Sequence, residues 1–355
     1  MKRLQPIPAN VLKTHHENYY SGIQQALDRL AAGKRVEISK SSEAEETVLR
    51  EEQVLADSGV VQYFQAIRDL FVDYSLLTAT ANSLRDVVNN HIPPLSSCGA
   101  KEVVIHMLMK VFNYSKFQRG RALIYENNEF VWRKNKPDWG AFEFLKHHLN
   151  SLKFCPYCNA SDIYAINKDD DKSTKVGSSL DHFYPQKKYP FLALSLYNLI
   201  PVCFRCNTQM KGSSDMKGVA NPYIEDIHRK VVFFPVFENS TPLLECPCKL
   251  LLVPRKQHDS RVTTFVRLFA LENLYSTSYE EIARCYVKKA KRYTPEYRRQ
   301  MANFFRLASP RDFEKDIFGM MLEESEINKT FLGKMKLDIV ERFQMKTGSD
   351  LFDVL

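Results

Sequence analysis

The sequence predicts an α+β protein, mainly helical, with a small cysteine-clipped centre and a short β-hairpin after it. Three observations predict this. A CxxC pair of cysteines occurs twice, apolar residues recur at helical spacing on both flanks, and short β-prone stretches lie between and beyond the pairs. The 355-residue chain is 44% hydrophobic and 26% charged, the balance of an ordinary folded protein, which excludes disordered and collagen-like classes. Its net charge of +8 favours acidic partners, of which a nucleic-acid backbone is the most general.

The first element is a helical region over residues 1–150, suited to docking or to positioning DNA. Residues 17–33 and 60–90 carry apolar side chains at helical spacing, and HIPPLSSCG breaks the second run. Another helical run begins near Lys101, and residues 139–152 predict a helix leading into the first cysteine pair. The start of the chain has no apolar run to serve as a secretory signal, and no stretch approaches the length of a membrane span. The expected compartment is the cytoplasm, where thiols stay reduced.

The second element, residues 151–225, holds the chemistry. Cys155 and Cys158 form FCPYCN, Cys203 and Cys206 form VCFRCN, and residues 159–202 separate them. Two such knuckles read as one tetrahedral Zn²⁺ site. The alternative, chance pairs of buried cysteines or a redox CxxC, explains neither the duplication nor the Asn after each pair. The separation is too long for a simple ribbon, so something folded must sit between the knuckles.

That insert reads as strand, loop, strand, helix. Asp181 and His182 end a short β-prone stretch that Pro185 must stop. Asn198 precedes a second strand, Leu199-Ile200-Pro201-Val202, and Asn207 and Lys211 share a face of a helix ending at Gly212. In the loop, Phe191, Leu192, Leu194 and Leu196 are expected in the core. Lys187, Lys188 and Tyr189 either meet a sugar-phosphate backbone or lie on a solvated surface. Residues 167–179 read as a polar surface excursion; their consecutive aspartates lack the later ligands of a calcium loop.

The third element, residues 226–355, begins with KVVFFPVF and CKLLLVPR, two strands of a hairpin, and returns to helices from about residue 260. Residues 287–299 interleave Tyr with Lys and Arg, either a phosphate-contacting face or a solvated helix surface. Cys98 and Cys285 read as lone buried thiols, and Cys246 and Cys248 as packing residues in a CxC without a partner pair.

The central residue types suit phosphodiester hydrolysis, which needs a base for water, a cation for developing charge and support for the departing oxygen. His182 can be the base. Asp181 and Asn207 are hard oxygen ligands for Mg²⁺ or Mn²⁺. Lys211 either offsets phosphate charge or is a solvated helix lysine.

At these positions the chain resembles the HNH endonucleases, whose pattern is DHxxP, then NLxxxC, then CNxxxK. Asp181 to Pro185, Asn198-Leu199, and Cys206-Asn207 through Lys211 match it in order, in the variant whose third position is Asn. The resemblance implies a zinc-clipped ββα-metal core, a structural zinc on Cys155, Cys158, Cys203 and Cys206, and a catalytic Mg²⁺ or Mn²⁺. It also gives Asn198 the part of a brace for the loop and the histidine. A cysteine-clipped DHFYP core followed by KYPFLALSLYNLIP and NPY, with a helical region before it, looks similar to the HNH subunits of bacterial anti-phage defence, especially the Septu-type nuclease that also occurs in some retron systems, although the flanks here are long. That likeness implies an effector cutting double-stranded DNA, or RNA such as tRNA, held quiet beside an SMC- or ABC-like ATPase partner. A reading from another class is a catalytically silent zinc module that binds nucleic acid or scaffolds a complex.

Overall fold

Apolar spacing in the N-terminal third becomes a stack of helices around one buried face. The computed structural model describes residues 1–39, 43–93, 100–167, 174–176, 178–237, 248–255, 259–306 and 312–344. Helix α1 (Ala9–Ala31) buries His15, Tyr19, Ile23, Ala26, Leu27 and Leu30, one stripe at helical spacing. The short α2 (Glu45–Leu55) follows, and α3 (Ser58–Asp73) packs Val60, Phe64, Ile67 and Phe71 against the same core, its first turn capped by the Asp57 carboxylate on Gly59 N–H. Helices α4 (Ala81–Asp86), α5 (Lys101–Val111) and α6 (Tyr114–Gln118) complete this layer.

The N-terminal region also contains a hairpin that helical periodicity does not announce. Strands β1 (Arg121–Glu126) and β2 (Glu129–Lys134) pair antiparallel through Asn127 and Asn128, both at positive φ. Asn tolerates that conformation, and two such residues give the tight turn whose twist matches the strands. The hairpin backbone lies directly on α1 at Gly22, where an added Cβ would stand 1.7 Å from the Leu123 carbonyl oxygen. Helix α7 (Ala141–Leu149) then leads into the first cysteine pair.

The centre is small. Strands β3 (Ala165–Asn167) and β4 (Thr174–Val176) form one antiparallel pair, and β5 (Ser179–His182) and β6 (Leu199–Val202) another. A short, wide π-helix, Arg205–Lys211, follows the second cysteine pair and ends at Gly212, whose positive φ and N–H bond to the Asn207 carbonyl close it. After the one-turn α8 (Ile227–Lys230), β7 (Val231–Phe237) and β8 (Cys248–Pro254) make the expected hairpin. Helices α9 (Ser260–Leu268), α10 (Leu271–Ser278), α11 (Glu280–Arg292), α12 (Pro295–Phe304), α13 (Asp312–Phe318) and α14 (Gly333–Gln344) cover it. The fold is α+β and mainly helical, with strands among the described residues in small antiparallel pairs.

One continuous hydrophobic core runs through all three segments and closes around the centre. His15 of α1 donates Nε2–H to the Leu194 carbonyl at 2.7 Å while its Nδ1 accepts from the Trp139 indole at 3.1 Å. Glu225, buried in the NPYIED turn, binds Arg85 of α4 at 3.1 Å and Arg261 of α9 at 2.8 Å. Among the described residues no helix is long and apolar enough to cross a membrane.

Candidate active site

The four cysteines at the two knuckles converge. Their sulfurs lie within 4.8 Å of one another, all four side chains are buried, and Cys158 Sγ stands 3.9 Å from Cys203 Sγ. A tetrahedral site with Zn–S bonds of about 2.3 Å needs sulfurs about 3.8 Å apart, so the residues fit Zn²⁺. Four thiolates fill every position, which makes the site structural. Each knuckle closes on its following Asn: Asn159 N–H bonds the Cys155 carbonyl at 2.7 Å, and Asn207 N–H bonds the Cys203 carbonyl at 3.1 Å. Asn159 sits at φ +53, and its side chain donates to the Ile327 carbonyl and accepts from Lys334 N–H, so the first knuckle anchors the C-terminal region. Arg205 lies beside the sulfurs; burial opposes its charge, yet Cys158 and Cys206 hold its pKa above the ordinary value.

Strand β5 aims its side chains two ways. Ser179 and Asp181 share one face, Leu180 and His182 the other. The Asp181 carboxylate accepts the Tyr157 hydroxyl on one oxygen at 2.7 Å and the Lys211 ammonium on the other at 2.9 Å. Asp181 and Lys211 are each 2% exposed, and Lys211 also donates to the His182 carbonyl at 2.8 Å. Burial pushes the Asp181 carboxyl up, against the pull of Lys211 and Tyr157. Tyr157 belongs to the first knuckle, so its hydrogen bond joins that knuckle to the strand.

His182 donates Nε2–H to the Ala193 carbonyl at 3.0 Å, which places the lone pair on Nδ1. Nδ1 has no hydrogen-bond partner among the described residues. Burial lowers the imidazole pKa to about 4, with the nearby Lys211 charge adding to it, so the ring is neutral at pH 7. Its other neighbour is the Tyr114 ring, edge-on at 4.5 Å. Both line a cleft of about 660 Å³ together with Gln118, Ser178, Gln186 and Asn207.

Asn198 is fully buried and holds the loop by three bonds. It accepts Tyr184 N–H at 2.8 Å and donates to the Tyr184 and Leu192 carbonyls at 3.2 and 3.0 Å. Its side-chain bonds go to the loop and not to His182; it fixes the segment carrying Ala193, the imidazole's acceptor. Asn207 donates its amide to Ser179 Oγ at 2.8 Å and lines the cleft. Asp181 and Asn207, expected to share a divalent ion, therefore do not form an open oxygen site as they stand, because both Asp181 oxygens are engaged. Mg²⁺ or Mn²⁺ does not fit that pair without a rearrangement.

Several sequence expectations need correction. Tyr189 is buried with its hydroxyl on Asp215 at 3.2 Å, and Lys211 is buried in the ion pair, so neither presents itself to a passing backbone. Lys188 is exposed but pairs with Asp215, and Lys187 is exposed. Phe191, Leu192, Leu194 and Leu196 are buried as core. Cys285 is exposed, since the buried face of α11 carries Ala283, Tyr286, Val287 and Ala290 instead. Cys98, Cys246, residues 169–171 and the side chain of Cys248 lie outside what the structure describes. In residues 287–299, Lys288, Lys291 and Arg292 are exposed, whereas Lys289 turns in to the Ile317 carbonyl. Sequence reasoning missed Tyr157 and Tyr114. The tyrosine inside the CPYC turn was a visible signal for the first; Tyr114 lies far from the motif in sequence and gave none.

No family model matches this chain, and no solved structure matches it. It is similar to protein ea31 of Escherichia phage lambda, 28% identical over 163 residues, covering 43% of this chain and 48% of the phage protein. The chain thus spans about half the length of that relative.

Proposed function

We propose that this protein is an HNH-type endonuclease hydrolysing phosphodiester bonds of nucleic acid, with His182 as the general base. The observation that carries the reading is the state of that imidazole. It is neutral, oriented through Nε2–H by the Ala193 carbonyl, lines the cleft, and has an Nδ1 lone pair that no described residue engages. A base so held can take the proton of a water attacking phosphorus. Asn198 keeps the orienting loop in place, and the zinc holds β5, β6 and the following helix together in a unit with little core of its own. The reading calls for Mg²⁺ or Mn²⁺ as a cofactor, with Asn207 of the cleft wall as a candidate oxygen ligand. Its preferred substrate is double-stranded DNA, with RNA such as tRNA next. The sequence likeness to Septu-type subunits extends it to an anti-phage effector working in the bacterial cytoplasm beside an SMC- or ABC-like ATPase.

A second reading has a specific observation in its favour. The closed Lys211–Asp181–Tyr157 arrangement suits a catalytically silent zinc module that binds nucleic acid or scaffolds a complex. Plasmid and tRNA nicking with Mg²⁺ or Mn²⁺ separates the two. His182→Ala should keep its zinc and lose cleavage by at least about a hundredfold, the lower end for a missing general base. A folded variant cutting within about threefold of wild type removes His182 from the mechanism, well inside that loss.

A further inference from the structure

Helix α12 leaves on its surface what most helices bury. Among the described residues eight large hydrophobic side chains are exposed, and three of them, Tyr297, Phe304 and Phe305, fall on or just past this one helix. Phe304 is 77% exposed. Tyr297 and Phe304 stand seven residues apart, two turns along one side of the helix, whereas Arg298 and Ala302 are the side chains it buries. Tyr293 meets Tyr297 edge-on at 5.7 Å and Phe304 meets Phe305 edge-on at 5.1 Å, so each end of the stripe carries a pair of rings. Cations bracket them. Arg292 precedes Tyr293 and Arg306 follows Phe305, and no carboxylate among the described residues pairs with either. Over residues 284–306 the exposed charges are Lys288, Lys291, Arg292, Arg299 and Arg306 against Glu296 alone, which pairs with Arg299 at 3.0 Å.

We propose that this face of α12 binds single-stranded nucleic acid, its rings stacking on bases while the arginines at either end meet phosphates. The excess of cations selects a polyanion. The rings select among polyanions. A duplex keeps its base faces stacked inside and offers its backbone, whereas a single strand offers a flat face to every exposed ring. Tyr297 and Phe304, about 10 Å apart along the axis at the rise of an α-helix, give such a strand two stacking points. Binding of this kind is tolerant of sequence, because every base has a face to stack. The inference calls on neither His182 nor the cleft, so it holds whether or not the protein cuts what it binds.

The test is fluorescence anisotropy of a labelled oligothymidylate of about sixteen nucleotides, with zinc-loaded full-length chain and no Mg²⁺ or Mn²⁺. Phe304→Leu/Phe305→Leu should weaken binding at least about tenfold, a conservative figure for two lost stacks, while Phe304→Tyr, which keeps the ring, should bind as wild type. Leucine preserves an apolar contact with a lipid surface or a protein partner, so a loss in this variant reports stacking. Arg292→Gln/Arg306→Gln should flatten the dependence of log affinity on log salt by about 1.4, two phosphates at about 0.7 each. Should the double leucine variant lose its zinc or its fold, Phe304→Leu alone decides, with an expected loss of about fivefold for one stack. The inference is overturned if wild type does not bind the oligothymidylate at low salt, or if the leucine variant stays within about twofold of wild type, well inside the loss of one stack. It is overturned equally if Phe304→Tyr loses as much as leucine, or if a duplex of the same length loses as much as the single strand. Because none of these readings uses cleavage and none of the variants touches the cleft, they stand or fall apart from the nicking assay on His182→Ala.

Discussion

Asn198→Ala tests the scaffold of the site most directly, because one side chain there satisfies three backbone groups. In the variant, Tyr184 N–H loses its acceptor and has no other among the described residues. The Tyr184 carbonyl loses a donor at 3.2 Å, whereas the Leu192 carbonyl keeps the N–H of Ser195. Leaving a buried polar group unmade costs about 1–3 kcal/mol, so one donor and one acceptor together should cost about 2–6 kcal/mol. That is a large share of the roughly 5–15 kcal/mol that holds a typical domain. Urea unfolding of zinc-loaded protein measures it as a lower midpoint at unchanged slope. The second readout is the imidazole. The loop that Asn198 ties down presents the Ala193 carbonyl to His182, so ¹⁵N chemical shifts should show the Nε2–H form alone in wild type and a mixture of tautomers in the variant. A stability loss under about 1 kcal/mol, below the cost of even one orphaned group, or an imidazole unchanged in the variant, refutes the reasoning.

The zinc prediction is stoichiometric. Well-folded wild type should carry about one equivalent of zinc, the 1:1 stoichiometry of a four-thiolate structural site, and Cys155→Ser or Cys206→Ser should lose the metal and the fold together. Metal analysis checks it, and less than about half an equivalent contradicts that stoichiometry. A pH prediction follows from two buried histidines. Burial lowers His15 to about 4 and His148 to about 3, so both are neutral when folded and near 6.5 when unfolded. Each contributes stability that is present above about pH 6.5 and lost as pH falls toward the folded value, since the unfolded chain then binds more protons. Tm should therefore fall measurably between about pH 6.5 and 5.5, a window above the ordinary titration of carboxylates. A flat Tm there means these rings are not held neutral.

Local pattern determined much of this protein. Cysteine spacing alone marked the four residues that meet around one metal position, because a CxxC turn is a short-range device whose geometry its own residues impose. The apolar runs of β7 and β8 and the apolar stripes of α1 and α3 were legible for the same reason: run, period and face are properties of neighbours in the chain. The buried loop Phe191 to Leu196 was legible too, as an apolar run with nowhere else to go. Tertiary packing decided the rest. Whether Lys211 meets solvent or Asp181, whether Tyr189 faces a partner or Asp215, and whether Cys285 points in or out all depend on residues distant in sequence. Residue type cannot decide burial for an amphipathic side chain such as Lys or Tyr, whose apolar stem suits the core and whose polar end suits water. At the centre of this fold that choice went to the interior, where Tyr157 and Lys211 close on Asp181 while His182 and Asn207 line the cleft.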